Sequence, residues 1–63
     1  MKKYKHFKGE IYEVLFEAIN SENKEKMVVY KDQSGEIYVR PASMFYGKVE
    51  VNGKFIPRFE EID

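Results

Sequence analysis

The sequence contains no cysteine and no tryptophan, and it has one histidine, two prolines and four glycines in 63 residues. Without cysteine there is neither a disulfide framework nor a cysteine-based zinc site, and the chain suits a reducing compartment. A zinc site would have to combine His6 with carboxylates, so we expect no metal and no cofactor. Nucleophilic catalysis is equally poorly supplied. Ser21, Ser34 and Ser43 fall in loop-like contexts and no Gly-x-Ser-x-Gly elbow is present. Gly9, Gly35, Gly47 and Gly53 are isolated from one another, which excludes a glycine-rich phosphate loop. Glu60, Glu61 and Asp63 form an acidic tail rather than a spaced catalytic pair. We therefore expect no enzyme.

Long apolar runs are missing too. The longest, Met27-Val28-Val29-Tyr30, is far short of a membrane span, and no apolar stretch follows Met1-Lys2-Lys3. We expect a cytoplasmic protein without membrane contact. The length excludes a dinucleotide-binding fold or an eight-stranded α/β barrel and predicts a single domain over residues 1–63.

Charge of one sign is also absent in total, since eleven Lys and Arg balance eleven Asp and Glu. This weakens any reading as a non-specific nucleic-acid binder. Locally the balance fails. Lys2, Lys3, Lys5 and Lys8 precede Glu10, Glu13, Glu17 and Glu22. If the two segments are adjacent antiparallel strands, their charges meet across the ladder.

What the sequence has is aromatic content, with five Phe and five Tyr, and apolar residues in alternation. Gly9, Gly35, Gly47, Gly53 and the polar stretch Asn20–Lys24 cut it into segments of strand length. Tyr4–Lys8 reads as a first strand. In Glu10–Ile19 the even positions Tyr12, Val14, Phe16 and Ala18 are apolar, which predicts a strand with all four on the buried side. Ile11, Leu15 and Ile19 are also spaced for a helix, but β-branched and aromatic residues dominate and no cap precedes Ile11. Lys26–Lys31 and Glu36–Arg40 form a hairpin around Asp32-Gln33-Ser34-Gly35. Pro41, lacking an N–H, is expected to stop that ladder and to open one helical turn through Phe45. Lys48–Val51 and Lys54–Ile56 flank Asn52-Gly53, the signature of a type I′ hairpin turn. Arg58–Ile62 closes the chain.

The expected fold is all-β, a small SH3-like antiparallel barrel of five or six short strands with one helical turn, since curling hides edges that a flat sheet leaves open. Its core is expected to hold Phe7, Tyr12, Val14 and Phe16 from the first half. Val29, Ile37, Val39, Met44 and Phe45 are expected from the middle, and Val49, Val51, Phe55 and Phe59 from the end.

Several stretches in order carry a family resemblance. They are Tyr4-Lys5-His6-Phe7-Lys8-Gly9, Tyr12-Glu13-Val14, Val28-Val29-Tyr30, Val39-Arg40-Pro41, Met44-Phe45, Val49-Glu50-Val51-Asn52-Gly53-Lys54 and Pro57-Arg58-Phe59. Together they resemble a small bacterial family catalogued as domain of unknown function 1653, over nearly the whole chain. The resemblance implies a soluble bacterial domain and brings no reaction or ligand. The compact Asp32–Gly35 loop departs from the longer, glycine-containing loop common in that family.

The candidate site residues follow from the residue types. Arg40 precedes Pro41 and Arg58 follows Pro57, and with Tyr38 and Tyr46 they supply guanidinium groups beside aromatic rings. His6, with a reference pKa near neutrality, joins them as a candidate. Such a set suits a non-catalytic binding module that presents an aromatic and arginine surface to a protein or peptide. The alternative is a nucleic-acid-binding small barrel for single-stranded RNA or DNA, which uses stacking and basic groups. A third reading is an accessory domain for an enzyme on a separate chain. Monomer and homodimer both remain open at this level.

Overall fold

The structure is a computed structural model and describes residues 2–62. It contains β1 (Lys3–His6), β2 (Ile11–Ile19), β3 (Lys26–Lys31), β4 (Ile37–Pro41), α1 (Ala42–Phe45), β5 (Lys48–Val51), β6 (Lys54–Pro57) and β7 (Phe59–Glu61). The all-β antiparallel class is therefore as expected, with seven strands rather than five or six. The strands fall into two ladders, a five-stranded sheet in the order β4-β3-β2-β1-β7 and a separate β5-β6 hairpin. Among the described residues no pairing joins β4 to β7, so the sheet stays open and the expected closed barrel is not seen.

The turns follow local chemistry. Gly9 at φ 107° ends the first strand at His6 and not at Lys8, because the Gly9 N–H folds back to the His6 carbonyl (2.7 Å). Asn52 and Gly53 both have positive φ (53° and 81°), as a type I′ turn requires. Pro41 ends the β4 ladder as expected, though from inside the strand rather than just beyond it. It is the last residue of the strand, opposite Met27. The Asp32 N–H bonds the Glu36 carbonyl (3.0 Å), so hydrogen-bonded positions recur at Tyr38 and Arg40. Pro41 follows Arg40 at a position that does not bond to β3, on an edge strand, where no donor is needed.

The core lies on one face of the sheet. Tyr4, Val28, Tyr30, Phe45 and Phe59 are buried, and Tyr12, Val14 and Ala42 pack against them. α1 lays Phe45 onto this face, where its ring stacks on Phe59 with centroids 4.1 Å apart and planes 9° from parallel. Burying one such ring contributes roughly 1.5–3 kcal/mol.

Two expectations about the core are corrected by register. First, β2 carries a bulge. Val14 opposes Tyr30 but Phe16 opposes Val29, so Leu15 is an extra residue. Tyr30 and Val29 are successive residues and face opposite ways, and so do Val14 and Phe16. Phe16 is therefore 58% exposed on the outer face. Second, β3 turns Val28 and Tyr30 inward, which leaves Val29 half-buried on the other side. Its β4 partner Val39 and the neighbouring Ile37 are each 59% exposed there. Met44 and Phe55 are exposed as well, Phe7 lies at the surface, and Val49 and Val51 are only half-buried.

Candidate functional site

Alternation brings His6, Tyr12, Tyr30, Tyr38, Arg40 and Phe59 to the core face at one end of the five-stranded sheet. The registers set them side by side: His6 opposes Phe59, and Tyr30 opposes Tyr38. Tyr12 sits centrally, with ring centroids 5.4 Å from Tyr30, 5.6 Å from Phe59 and 6.2 Å from both His6 and Tyr38. Tyr30 and Tyr38 stack at 5.7 Å. Most of the other pairs meet edge to face, the arrangement ring quadrupoles favour.

Arg40 is held by this cluster. Its Nε donates to the Tyr30 hydroxyl (3.2 Å), and its guanidinium carbon lies 5.9 Å from the Phe59 ring centre. The second contact is a cation–π geometry. Arg58 immediately precedes Phe59, and its backbone is tied on both sides, by its N–H to Gly47 O (3.0 Å) and by its carbonyl to the Phe7 N–H (3.0 Å). Its side-chain Nε is buried and has no hydrogen-bond partner among the described residues. A buried donor in that state carries a desolvation cost.

His6 stands beside Phe59 at 4.9 Å and Phe7 at 4.5 Å. The Lys8 N–H donates to His6 Nδ1 (3.2 Å), which places the imidazole proton of the neutral ring on Nε2. Burial lowers its pKa below the ordinary 6.5, and Arg40, Lys8 and Arg58 push the same way against the opposing Glu10. The ring is thus a neutral donor at neutral pH.

The remaining polar contacts fix the rim. Asp32 Oδ2 accepts from the Tyr38 hydroxyl (2.9 Å), while its Oδ1 takes Ser34 N, Ser34 Oγ and Glu36 N. These bonds, the Ser34 hydroxyl first, hold the Asp32 carboxyl down at about 2. The bond to Asp32 pushes the Tyr38 phenol up to about 12. Tyr46 lies apart from the cluster. Its ring meets Phe45 (5.1 Å) and Tyr4 (6.4 Å), and its hydroxyl donates to Glu17 Oε2 (2.8 Å). Burial and the Glu17 carboxylate push its pKa up to about 12.

Of the five residues expected from the sequence, the structure sets His6 and Arg40 against Phe59 and Tyr38 against Tyr12 and Tyr30, brings the Arg58 charge close enough to bear on His6, and leaves Tyr46 outside. Tyr12 and Tyr30 belong to the cluster but were not expected there. Tyr30 sits in the run Met27-Val28-Val29-Tyr30, where every residue is apolar and alternation cannot say which side faces in.

The family model described as protein of unknown function (DUF1653) matches residues 2–61. The chain belongs to this family. No curated protein and no solved structure matches it. The match spans every strand of this DUF1653 chain and the whole arginine and aromatic cluster. Two open depressions lie at the margins of that cluster. One of about 450 Å³ is lined by Tyr12, Glu13, Lys31 and the 32–35 turn, and one of about 370 Å³ by His6, Phe7, Pro57 and neighbours. Among the described residues no three metal-ligating side chains come together, and no helix is long and apolar enough to cross a membrane.

Proposed function

We propose that this DUF1653 domain is a non-catalytic binding module whose ligand is a protein or peptide segment. An apolar side chain of the ligand lies against the accessible Tyr12 and Tyr38 rings, and a carboxylate of the ligand meets Arg40 and Arg58. The observation that carries this reading is the Arg40 guanidinium set over the Phe59 ring, with the Arg58 charge close enough to bear on His6 beside the same ring. The rings are preset by mutual packing, so little side-chain entropy is lost on binding.

The distribution of the lysines favours a peptide over a nucleic acid. Lys3 and Lys5 alternate onto the face opposite Arg40, where they oppose Glu13 and Glu60, and Lys2 lies 3.7 Å from Glu61. Three of the four lysines of the basic segment therefore do not join the arginines, and only Lys8 stands with them near His6, too few for the positive surface that phosphate binding would need.

Tyrosine fluorescence reports on the site directly, because the chain has no tryptophan and three of its five tyrosines are in the cluster. Titration with an array of short acidic, aromatic-containing peptides should reveal binders. Arg40→Ala or Arg58→Ala should weaken them at least about fivefold, the level of an interface hot residue. Single-stranded oligonucleotides should not compete at physiological salt. Binding of oligonucleotides that falls steeply with salt, with no peptide bound, would replace this reading by the nucleic-acid one.

A further inference from the structure

We propose that β4 is the interface of a symmetric dimer, pairing antiparallel with β4 of a second copy about a twofold axis at Tyr38. The strand is the last in its sheet, so one side of its backbone has no partner strand. Because the hydrogen-bonded positions toward β3 are Glu36, Tyr38 and Arg40, the N–H and C=O groups of Ile37 and Val39 point to the open edge. The side chains of these two residues are exposed on the outer face. An edge that is open and apolar is a template for another strand.

The strand is complementary to itself in one register. With the axis at Tyr38, Ile37 opposes Val39 of the second copy and Val39 opposes its Ile37. Each pair exchanges two backbone hydrogen bonds, giving four in all, and brings two exposed aliphatic side chains together. In the same register Glu36 opposes Arg40 of the second copy, and the symmetry repeats this opposite-charge pair. Among the described residues neither side chain forms an ion pair within the chain. Moving the axis one residue further sets Pro41, which has no donor, against Ile37. Moving it one residue back brings in Gly35, whose N–H already bonds Asp32 O (3.2 Å). The seam sets Tyr38 and Arg40 of both copies side by side, yet the proposal does not depend on what the aromatic cluster binds.

The seam is short, so association is weak and depends on concentration. Sedimentation velocity from about 10 μM to about 1 mM should show the mass rising from one chain toward two. Glu36→Arg places like charges opposite each other at both ends and should weaken association at least about tenfold. Glu36→Arg with Arg40→Glu should restore it. The absence of cysteine allows a second test that needs no charge change. In the proposed register Tyr38 opposes its own copy at a Cα separation of about 4.5 Å, within disulfide range. Tyr38→Cys should therefore oxidise to a covalent dimer much faster than Lys54→Cys at the hairpin tip. One chain at about 1 mM, association indifferent to Glu36→Arg, a folded swap variant that stays monomeric, or equal oxidation of the two cysteine variants would each overturn the proposal.

Discussion

Gly47 is the residue with least room. A Cβ built there would lie 2.7 Å from the Ser43 carbonyl oxygen, and that oxygen belongs to backbone that cannot swing aside. The same residue offers its own carbonyl to the Arg58 N–H (3.0 Å), so any shift reaches the strand that carries Phe59. Gly47→Ala should cost about 1–3 kcal/mol, the usual penalty for overpacking. Gly53 makes a different case. It has open space around it, and only its φ of +81° resists substitution. Gly53→Ala should cost about 1 kcal/mol, as a left-handed alanine does. Urea denaturation of the two variants checks both, and a Gly47→Ala variant as stable as the parent would mean that α1 can move away from β5.

Elements differ in how far their residues reveal them. Lys26–Lys31 and Lys48–Val51 are strands with the bounds the alternation and flanking turns suggest, and Asn52-Gly53 forms its turn as composition dictates. Faces are another matter. The four apolar residues Tyr12, Val14, Phe16 and Ala18 keep one side only while the register is unbroken, and the bulge at Leu15 breaks it. After the bulge Glu17 lies opposite Val28 and is held by the Tyr46 hydroxyl (2.8 Å) and Lys26 Nζ (3.7 Å), contacts too distant in sequence to signal themselves. The candidate site was legible in part for a related reason. Arg40 and Arg58 stand out beside prolines, whereas Tyr30 depends on which face of an all-apolar run turns inward. That the sheet stays open was not legible, because nothing in the sequence says that β5 and β6, among the described residues, pair with each other and not with the main sheet. That separation sets a second expectation. Phe55 on β6 is 69% exposed, while Phe45 on α1 is fully buried. Phe55→Ala should change stability by no more than about 0.5 kcal/mol. Phe45→Ala should cost roughly 3–5 kcal/mol. Circular dichroism melts of the pair would place Phe55 in a core if the two losses matched.

For the whole molecule, stability is set against a small total of about 3–9 kcal/mol, from roughly 0.05–0.15 kcal/mol per residue. Displaced titrations are therefore visible in it. His6 has a folded pKa below its ordinary 6.5, so the unfolded chain binds the proton more tightly. Its contribution is full above 6.5 and is lost as the pH falls through the lower, folded value. Asp32 acts in the same direction further down, its contribution fading between 3.8 and about 2 as protonation releases Ser34, Tyr38 and Glu36. At the alkaline end the sign reverses. Tyr38 and Tyr46 are raised from 10.0 to about 12, so the folded chain keeps the phenolic protons that the unfolded chain gives up. Their contribution is full below 10 and is lost as the pH rises toward 12. The urea midpoint should accordingly be flat from about pH 7 to about pH 10 and fall on either side. His6→Gln should flatten the first part of the acid limb, just below pH 6.5, and leave the alkaline limb unchanged. A midpoint that rises on acidification from pH 7, or an alkaline limb unaffected by Tyr46→Phe, would mean that these side chains are not held as the geometry describes. His6, beside Phe59, and the Tyr46 share of the alkaline limb, beside Glu17, report on different parts of the molecule. A single cooperative transition at both pH extremes would then show that the aromatic cluster and the far end of α1 unfold as one unit.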